Sequence, residues 1–580
     1  NDWTANNLAA SDVMSGESPT NNFCTLNPLA YTNGITLSDG NLTMATTTNN
    51  RAVHGTIALP SSGKWYVELH VDSYASGGGT QFGWCTDASL GYDEYSQSKG
   101  VFFSTYNQAV TIDNSAGGGN YNTQGNNSSS NGDIYQLLLD VDNKVFYIGK
   151  NGTYRNSADP GNGTGGLDVT SMFTNAVTDI VFSATRGGSY NETYSINFGQ
   201  DSKDVSSANA DDNGIGTFEY APPSGFLALC SANLPEPTIS PNSTEQADDY
   251  FNTLLYTGDG TTSRSITGVG FAPDFVWGKC RSNAEDHILS DTVRGANKKL
   301  ESNNTGAEDT STAATLSGFE SDGFTGPSST PGNINVNGRT YVAWNWKAGG
   351  TAVSNTDGSI TSSVSAAPDA GFAICTYTGN GAAGATVGHG LGKKPTMIIV
   401  KNRDSGVQDW PVQHGSIGAT GQMVLSSTAA NNANIVYWNN TEPTSSVFSL
   451  GTSNNTNQSG NSHVAYVFTD IDGFSKAGSY VGNGNADGTF VFTGFRPAWV
   501  MTKPSSTTGN WIILDAERNT FNVTDKRLYP DSSAVEATVT AHDFLSNGFK
   551  VRNTGNPNDS GATYIYLAFA EAPFKYANAR

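Results

Sequence analysis

The sequence predicts an all-β protein: an N-terminal two-sheet β-sandwich followed by three repeated β-sandwich-like domains. Three observations carry that prediction. Charged residues are only 14% of the 580, against roughly 25% in ordinary soluble domains, and Gly, Ser, Thr and Asn fill the gap. Gly and Asn accept the positive φ of tight turns, so this composition favours short strands joined by hairpins. Few stretches space their apolar residues at a helical period. Finally, one pattern occurs three times. It opens with Tyr256-Thr-Gly-Asp259-Gly260, Tyr377-Thr-Gly-Asn380-Gly381 and Tyr480-Val-Gly-Asn483-Gly484. A proline then precedes an apolar run and a lysine six residues on: Pro273 and Lys279, Pro395 and Lys401, Pro497 and Lys503. Each unit closes on an aromatic strand, at 341–346, 463–468 and 564–569.

From Tyr256 to Tyr377 is 121 residues and from Tyr377 to Tyr480 is 103. Such steps are too long for a solenoid repeat and suit a duplicated domain. The expected boundaries are 1–232 for the N-terminal sandwich, 233–245 for a linker, and 246–366, 367–478 and 479–580 for the three repeats.

Residues 1–232 lack the triple pattern. Their landmarks are Gly63-Lys-Trp65-Tyr66-Val-Glu68, Phe82-Gly-Trp84, Gly132-Asp133-Ile-Tyr135 running on to Asp140, and Lys144-Val-Phe-Tyr-Ile-Gly-Lys150-Asn151-Gly152. The stretches 65–70 and 145–148, rich in β-branched and aromatic residues, predict strands. Asp142-Asn143 and Asn151-Gly152 supply the turns. Together these landmarks resemble the SPRY domain, whose members carry a Gly-Lys-Trp-Tyr-x-Glu strand and a Gly-Asp hairpin ending in Asn-Gly. The resemblance spans about residues 40–200 and implies a concanavalin-like two-sheet sandwich. The binding loops of that family are not recognisable here, so no binding residue is carried over. The region ends at Pro222-Pro-Ser-Gly-Phe226-Leu-Ala-Leu-Cys230, and the linker holds Pro235, Pro237 and Pro241, which favours an extended, semi-rigid segment.

The repeats share more than their opening. Counted from each Lys, repeats one and three place His287 or Trp511 at +8, Asp291 or Asp515 at +12, and Arg294 or Arg518 at +15. Repeat two departs, with Trp410 at +9, His414 at +13 and no matching Arg. Gly318-Phe-Glu-Ser-Asp-Gly-Phe324 and Asp543-Phe-Leu-Ser-Asn-Gly-Phe549 read as hairpins; in repeat two only Phe448-Ser-Leu-Gly451 echoes them.

A net charge of −22 without Lys/Arg clusters argues against nucleic acid. No stretch approaches the roughly 18 apolar residues of a membrane span. No signal peptide is visible, and the chain begins at Asn1 rather than Met. Cys24, Cys85, Cys230, Cys280 and Cys375 are scattered and odd in number. That is neither a disulfide framework nor a zinc site, and it suits folding in a reducing cytoplasm.

Candidate chemistry is sparse. Gly379-Asn-Gly381-Ala-Ala-Gly384 spells the dinucleotide fingerprint, but that motif needs a helix at the glycines and here a strand is expected, so the turn reading is preferred. Asp291/Arg294 and Asp515/Arg518 read as salt bridges bracing a loop rather than catalytic pairs. Asp140-Val-Asp142-Asn143 and Asp470-Ile-Asp472-Gly473 hint at calcium loops but lack the Glu at position 12 and read as turns. The seven histidines (His54, His70, His287, His389, His414, His463, His542) show no metal-ligand spacing. No catalytic, cofactor-binding, metal or ligand-binding residue is assigned, and no cofactor is expected.

The pieces Pro19-Thr-Asn-Asn-Phe23, Asn27-Pro28-Leu29 and 222–230, followed by the repeats, resemble structural proteins of tailed phages of marine bacteria. That resemblance implies a non-enzymatic virion-surface protein, a tail fibre or similar appendage, made in the bacterial cytoplasm and attaching to a host by binding alone. The partners it implies are further copies of the chain (a homotrimer if it is a fibre), other virion proteins, and a host cell-surface glycan or protein. Two alternatives stay open. One is a capsid or tail decoration component with no receptor role. The other is a tailspike enzyme that depolymerises glycan, which needs two carboxylates flanking a bond; no segment nominates them.

Overall fold

The strands predicted at 65–70 and 145–148 are present in the computed structural model as Lys64–Ser73 and Val145–Lys150. The structure describes residues 21–31, 34–46, 51–75, 79–86, 100–112, 120–121, 129–173, 180–186, 191–200, 205–311, 315–329 and 332–576; Pro19 and Thr20 lie outside them. The described chain is nearly all β, as the composition predicts. It divides into two units, Asn1–Glu236 and Pro237–Arg580.

The N-terminal unit holds a seven-stranded and a nine-stranded sheet. Lys64–Ser73 is central to the larger one, paired with Ile134–Asp140 and Glu192–Asn197. The hairpin of Ile134–Asp140 and Val145–Lys150 turns where the sequence places it. Asp140 fixes that turn by accepting from the Asn143 backbone and side-chain amides, both at 2.9 Å. The two ends of the unit close on each other: the Cys24 amide donates to the Leu229 carbonyl at 2.9 Å. Glu68, fully buried, anchors the closing segment by accepting from the Glu219 and Tyr220 amides at 3.0 and 2.8 Å.

The C-terminal unit contains all three repeats, and each builds the same four-stranded sheet in the same order: opening strand, aromatic strand, lysine strand, outer strand. In repeat one these are Phe251–Thr257, Thr340–Trp346, Phe275–Cys280 and Ile288–Asp291. In repeat two they are Phe372–Thr378, Ser462–Phe468, Met397–Asn402 and Pro411–His414. In repeat three they are Ser475–Val481, Thr563–Pro573, Phe495–Pro504 and Ile512–Asp515. Strand alternation sends one side of each sheet to a smaller second sheet, which contains the predicted hairpins. The other side goes to a core that all three repeats share.

That shared core is aromatic. Phe275 and Trp346 of repeat one, Tyr466 and Phe468 of repeat two, and Trp499 and Phe569 of repeat three lie in one buried cluster. Phe275 stacks on Tyr466 with centroids 4.3 Å apart, and Trp346 meets Trp499 edge-on at 5.7 Å. Each such burial is worth about 1.5–3 kcal/mol. The repeats therefore stabilise one another rather than folding around three separate centres. At the centre the packing leaves a cavity of only ≈ 10 Å³, lined by apolar side chains of all three repeats.

Candidate functional site

The residues that the repeats share were the first candidates for chemistry, and the structure gives them two architectural tasks. The first is a turn clamp. The hydroxyls of Tyr256, Tyr377 and Tyr480 donate to the carbonyls of Ile334, Thr456 and Pro557 at 2.8, 2.6 and 2.9 Å. Each tyrosine stacks at 5.1 Å on the first ring of its aromatic strand: Tyr341, His463 and Tyr564. A fully buried asparagine then grips the following turn. Asn335, Asn457 and Asn558 accept from the amides of Asp259, Asn380 and Asn483 at 3.2, 2.9 and 3.0 Å. The first glycine of each motif is required by close approach: a Cβ on Gly258, Gly379 or Gly482 would meet a backbone oxygen at 2.2, 2.4 or 2.4 Å. The fingerprint at 379–384 is thus a turn leading into the strand Ala385–Gly388; no helix follows it.

The clamping asparagines escaped the sequence reading because their neighbours differ in every repeat. One signal was available: each lies six residues before its aromatic strand's first ring, at 335 and 341, 457 and 463, 558 and 564.

The second task is closure of the ring of repeats. Asp291 and Arg294 form a buried ion pair at 2.5 Å, and the Tyr466 hydroxyl of repeat two donates to the same carboxylate at 2.9 Å. Asp515 and Arg518 repeat this at 2.6 Å, with the Trp344 indole N–H of repeat one donating at 2.9 Å. Tyr466 and Trp344 occupy matching places in their aromatic strands. Each arginine also reaches a glutamate shared with the neighbouring repeat. Glu308 takes Arg294 at 3.0 Å and Arg403 at 2.8 Å; Glu536 takes Arg518 at 3.1 Å and Arg281 at 2.8 Å. Burial would raise both carboxyls, but the flanking guanidiniums outweigh it and hold them below the usual range. The braced-loop reading of these pairs fits this geometry; the partner repeats could not be named from sequence.

The residue at +8 or +9 pins each seam to a backbone carbonyl of the preceding repeat. Trp410 Nε1 donates to Glu301 at 3.0 Å, and Trp511 Nε1 to Val424 at 2.9 Å. His287 Nε2 donates to Tyr529 at 3.0 Å, while its Nδ1 accepts from Trp277 at 2.9 Å. Trp410, one place out of register in the sequence, thus does the same work as Trp511. Two of the lysines also reach into the neighbouring repeat, whereas Lys279 Nζ donates to the adjacent Cys280 carbonyl at 2.7 Å. Lys503 Nζ donates to the Thr428, Ala429 and Gly509 carbonyls at 3.0, 2.9 and 2.7 Å; Lys401 Nζ donates to Thr305 at 2.9 Å and to Gln408. Burial lowers Lys279, Lys401 and Lys503 to about 8.

The remaining candidates stay apart. Asp470 accepts from the Thr396 hydroxyl and the Ala477 amide at 2.8 and 2.9 Å, tying the start of the lysine strand of repeat two to the opening strand of repeat three. His389, His414, His463 and His542 are buried, and desolvation holds them below their ordinary value, as it does His287. The five cysteines are buried, and none is in a disulfide. Among the described residues, no group of three or more His, Cys, Asp or Glu side chains could hold a metal ion, and no helix is long and apolar enough to cross a membrane.

One open groove stands out on repeat two, with a volume of ≈ 330 Å³. It exists because the sheet of that repeat is widened by an added hairpin, Val353–Asn355 and Ser362–Ala367, which the boundary expected at 366 leaves in repeat one but which pairs with the sheet of repeat two. On its floor Ser354, Ser363 and Thr376 stand side by side on three neighbouring strands. The next row holds Thr361, Thr378 and Ser462, ending at Arg403.

Compared with solved structures, the chain is similar to the SPRY domain of human HERC1, at 14% identity over 30% of this chain and 96% of that one, with a TM-score of 0.23. It is also similar to the carbohydrate recognition domain of Emp47p, at 10% identity over 31% and 93% with a TM-score of 0.22. A third is winged bean acidic lectin complexed with methyl-alpha-D-galactose, at 15% identity over 30% and 89% with a TM-score of 0.21. No curated protein matches the chain. Residues 246–573, more than half of the chain and nearly all of the three-repeat ring, match the family model described as Domain of unknown function (DUF7483), and the protein belongs to that family.

Proposed function

We propose that the protein is a virion-surface component of a tailed phage, a tail fibre or similar appendage that attaches to a host by binding without catalysis. The observation that carries the non-catalytic reading is the use made of the shared residues. The tyrosines, glycines, asparagines, lysines and ion pairs that recur between repeats are spent on turns and seams, so what was duplicated is a scaffold. The virion reading rests on the resemblance of 19–29, 222–230 and the repeats to phage structural proteins. In such a particle many copies act together, and weak contacts sum by avidity. The expected partners are further copies of the chain, as a homotrimer in a fibre, other virion proteins, and a host-surface glycan or protein.

The test is cell binding by the purified full chain, with its mass measured by light scattering. The reading expects a stable oligomer that adheres to host cells and sheds no reducing ends from their polysaccharide. Release of oligosaccharide would overturn the non-catalytic reading, and a monomer that ignores cells would overturn host attachment.

A further inference from the structure

The geometry points to the groove on repeat two as a binding site for a neutral, polyhydroxylated ligand: one or two units of a saccharide chain. The inference rests on the reading of the C-terminal unit as a binding module, and it names the chemistry of the ligand. Three observations carry it.

First, the groove is an addition to the scaffold. Repeats one and three stop at the opening strand, whereas repeat two continues its sheet through Ser362–Ala367 and Val353–Asn355. Function is commonly grafted onto a fold at such an extension.

Second, the floor is an ordered array of hydroxyls. Ser354 pairs with Ser363 and Ser363 with Thr376 across the strands, so the three stand on one face about 4.8 Å apart. Thr378 and Ser462, themselves register partners, extend the array one step along the strands. Among the described residues none of these hydroxyls, nor that of Thr361, has a hydrogen-bond partner, whereas Ser362 is spent on the Gly388 carbonyl at 2.8 Å. Each free hydroxyl offers one donor and two acceptor positions, which matches the mixed donor–acceptor character of sugar hydroxyls.

Third, the lining disfavours other ligand classes. No carboxylate is among its lining residues, so a cation would meet only neutral oxygens there. Its one guanidinium, Arg403, already gives both ends to Glu308 at 2.9 and 2.8 Å, so little charge is left over for phosphate or carboxylate. Its one ring, Tyr377, is buried, with its hydroxyl donated inward to Thr456. The volume of ≈ 330 Å³ sits at the lower end of the ~300–1,000 Å³ usual for small-ligand clefts.

The experiment uses the full chain and a panel of neutral oligosaccharides of two to four units built from glucose, galactose, mannose or N-acetylglucosamine, titrated by calorimetry. Thr376→Arg and Ser363→Arg fill the groove from its floor. Thr257→Arg places the same side chain beside the opening tyrosine of repeat one, where the added hairpin does not exist. Binding of at least one saccharide is expected, weakened tenfold or more by either groove variant and unchanged by T257R, with all three variants melting like the parent. No binding across the panel, or equal binding by parent, T376R and S363R, overturns the site. Cell binding separates this from the wider reading. Loss of saccharide binding in T376R with adhesion intact keeps the groove and assigns host attachment to another surface; saccharide binding by a protein that ignores cells keeps the groove and removes attachment.

Discussion

Two of the three seams in the C-terminal unit are built on a buried ion pair, and the third, among the described residues, has a histidine in its place. Between repeats one and two, and between three and one, a buried Asp–Arg pair receives an N–H or O–H from the neighbour's aromatic strand. Between repeats two and three the matching place holds His414, whose Nε2 donates to the Tyr566 carbonyl at 3.1 Å. The facing residue there is Leu567, where the other seams have Tyr466 and Trp344. The two changes compensate. Without the carboxylate, a phenol or indole on the neighbour would be a buried donor without an acceptor, which costs about 1–3 kcal/mol. A seam in this ring thus tolerates either chemistry provided that both sides change together. The departures of repeat two are a second solution to the same packing problem.

Acidification should have the largest effect, because it acts on several groups at once, His287 in an ion-pair seam and His414 in the third seam among them. Burial holds His414 and His463 at about 4 and His542 at about 3, and keeps His287 and His389 low as well. Their folded values lie below the unfolded value of roughly 6.5, so below that pH the unfolded chain binds more protons than the folded one. Their contribution is fully present above about 6.5 and falls as the pH drops toward 4. Glu308 and Glu536, held low by their arginines, keep their charge through most of that window. Urea midpoints measured from pH 7 down to 4.5 should decline steadily, and His414→Gln should flatten part of the decline. A midpoint that stays level to pH 5 would contradict the buried, neutral histidines.

Next in size is the loss of one member of a buried ion pair. Asp291→Ala or Asp515→Ala should cost about 3–5 kcal/mol by stranding Arg294 or Arg518; a loss below about 1 kcal/mol, read from denaturant unfolding, would mean that the pairs are not buried as described. Smaller again is the turn clamp, which belongs to all three repeats alike. Asn335→Ala, Asn457→Ala and Asn558→Ala should each cost about 2–3 kcal/mol, with similar values, because each leaves buried backbone groups unpaired. Widely different values would show that the clamp is not equivalent between repeats. The smallest effect is expected from Tyr466→Phe, about 1.5 kcal/mol, since Asp291 keeps its arginine. Circular dichroism melts would register it as a modest shift with the fold unchanged.

What the sequence made legible was local. Tyr-x-Gly-[Asp/Asn]-Gly turns, apolar runs ending in lysine and aromatic strands follow from residue patterns within a few positions, and the strands lie where those patterns placed them. The spacing of Asp291 to Arg294 and of Asp515 to Arg518 marked them as ion pairs for the same reason. Their partners were out of reach, because Tyr466 is 175 positions from Asp291 and Trp344 is 171 from Asp515, and no periodicity encodes a contact over that distance. The shared core was hidden likewise. A strand such as Phe275–Cys280 is buried on both faces, so its pattern shows that something covers it without saying whose side chains do. The groove on repeat two was invisible for a different reason: Ser and Thr in strands read as ordinary solvent-facing positions until the register aligns them.

The three repeats stabilise one another through a common core and a closed ring of seams. Hydrogen exchange read by mass spectrometry, comparing the parent with Asp291→Ala in mild denaturant, tests this most directly. With a shared core, peptides covering all three aromatic strands, 341–346, 463–468 and 564–569, lose protection together, although the substitution touches only the seam between repeats one and two. Loss confined to repeat one, with repeats two and three protected as in the parent, would contradict it and return the repeats to three independent domains.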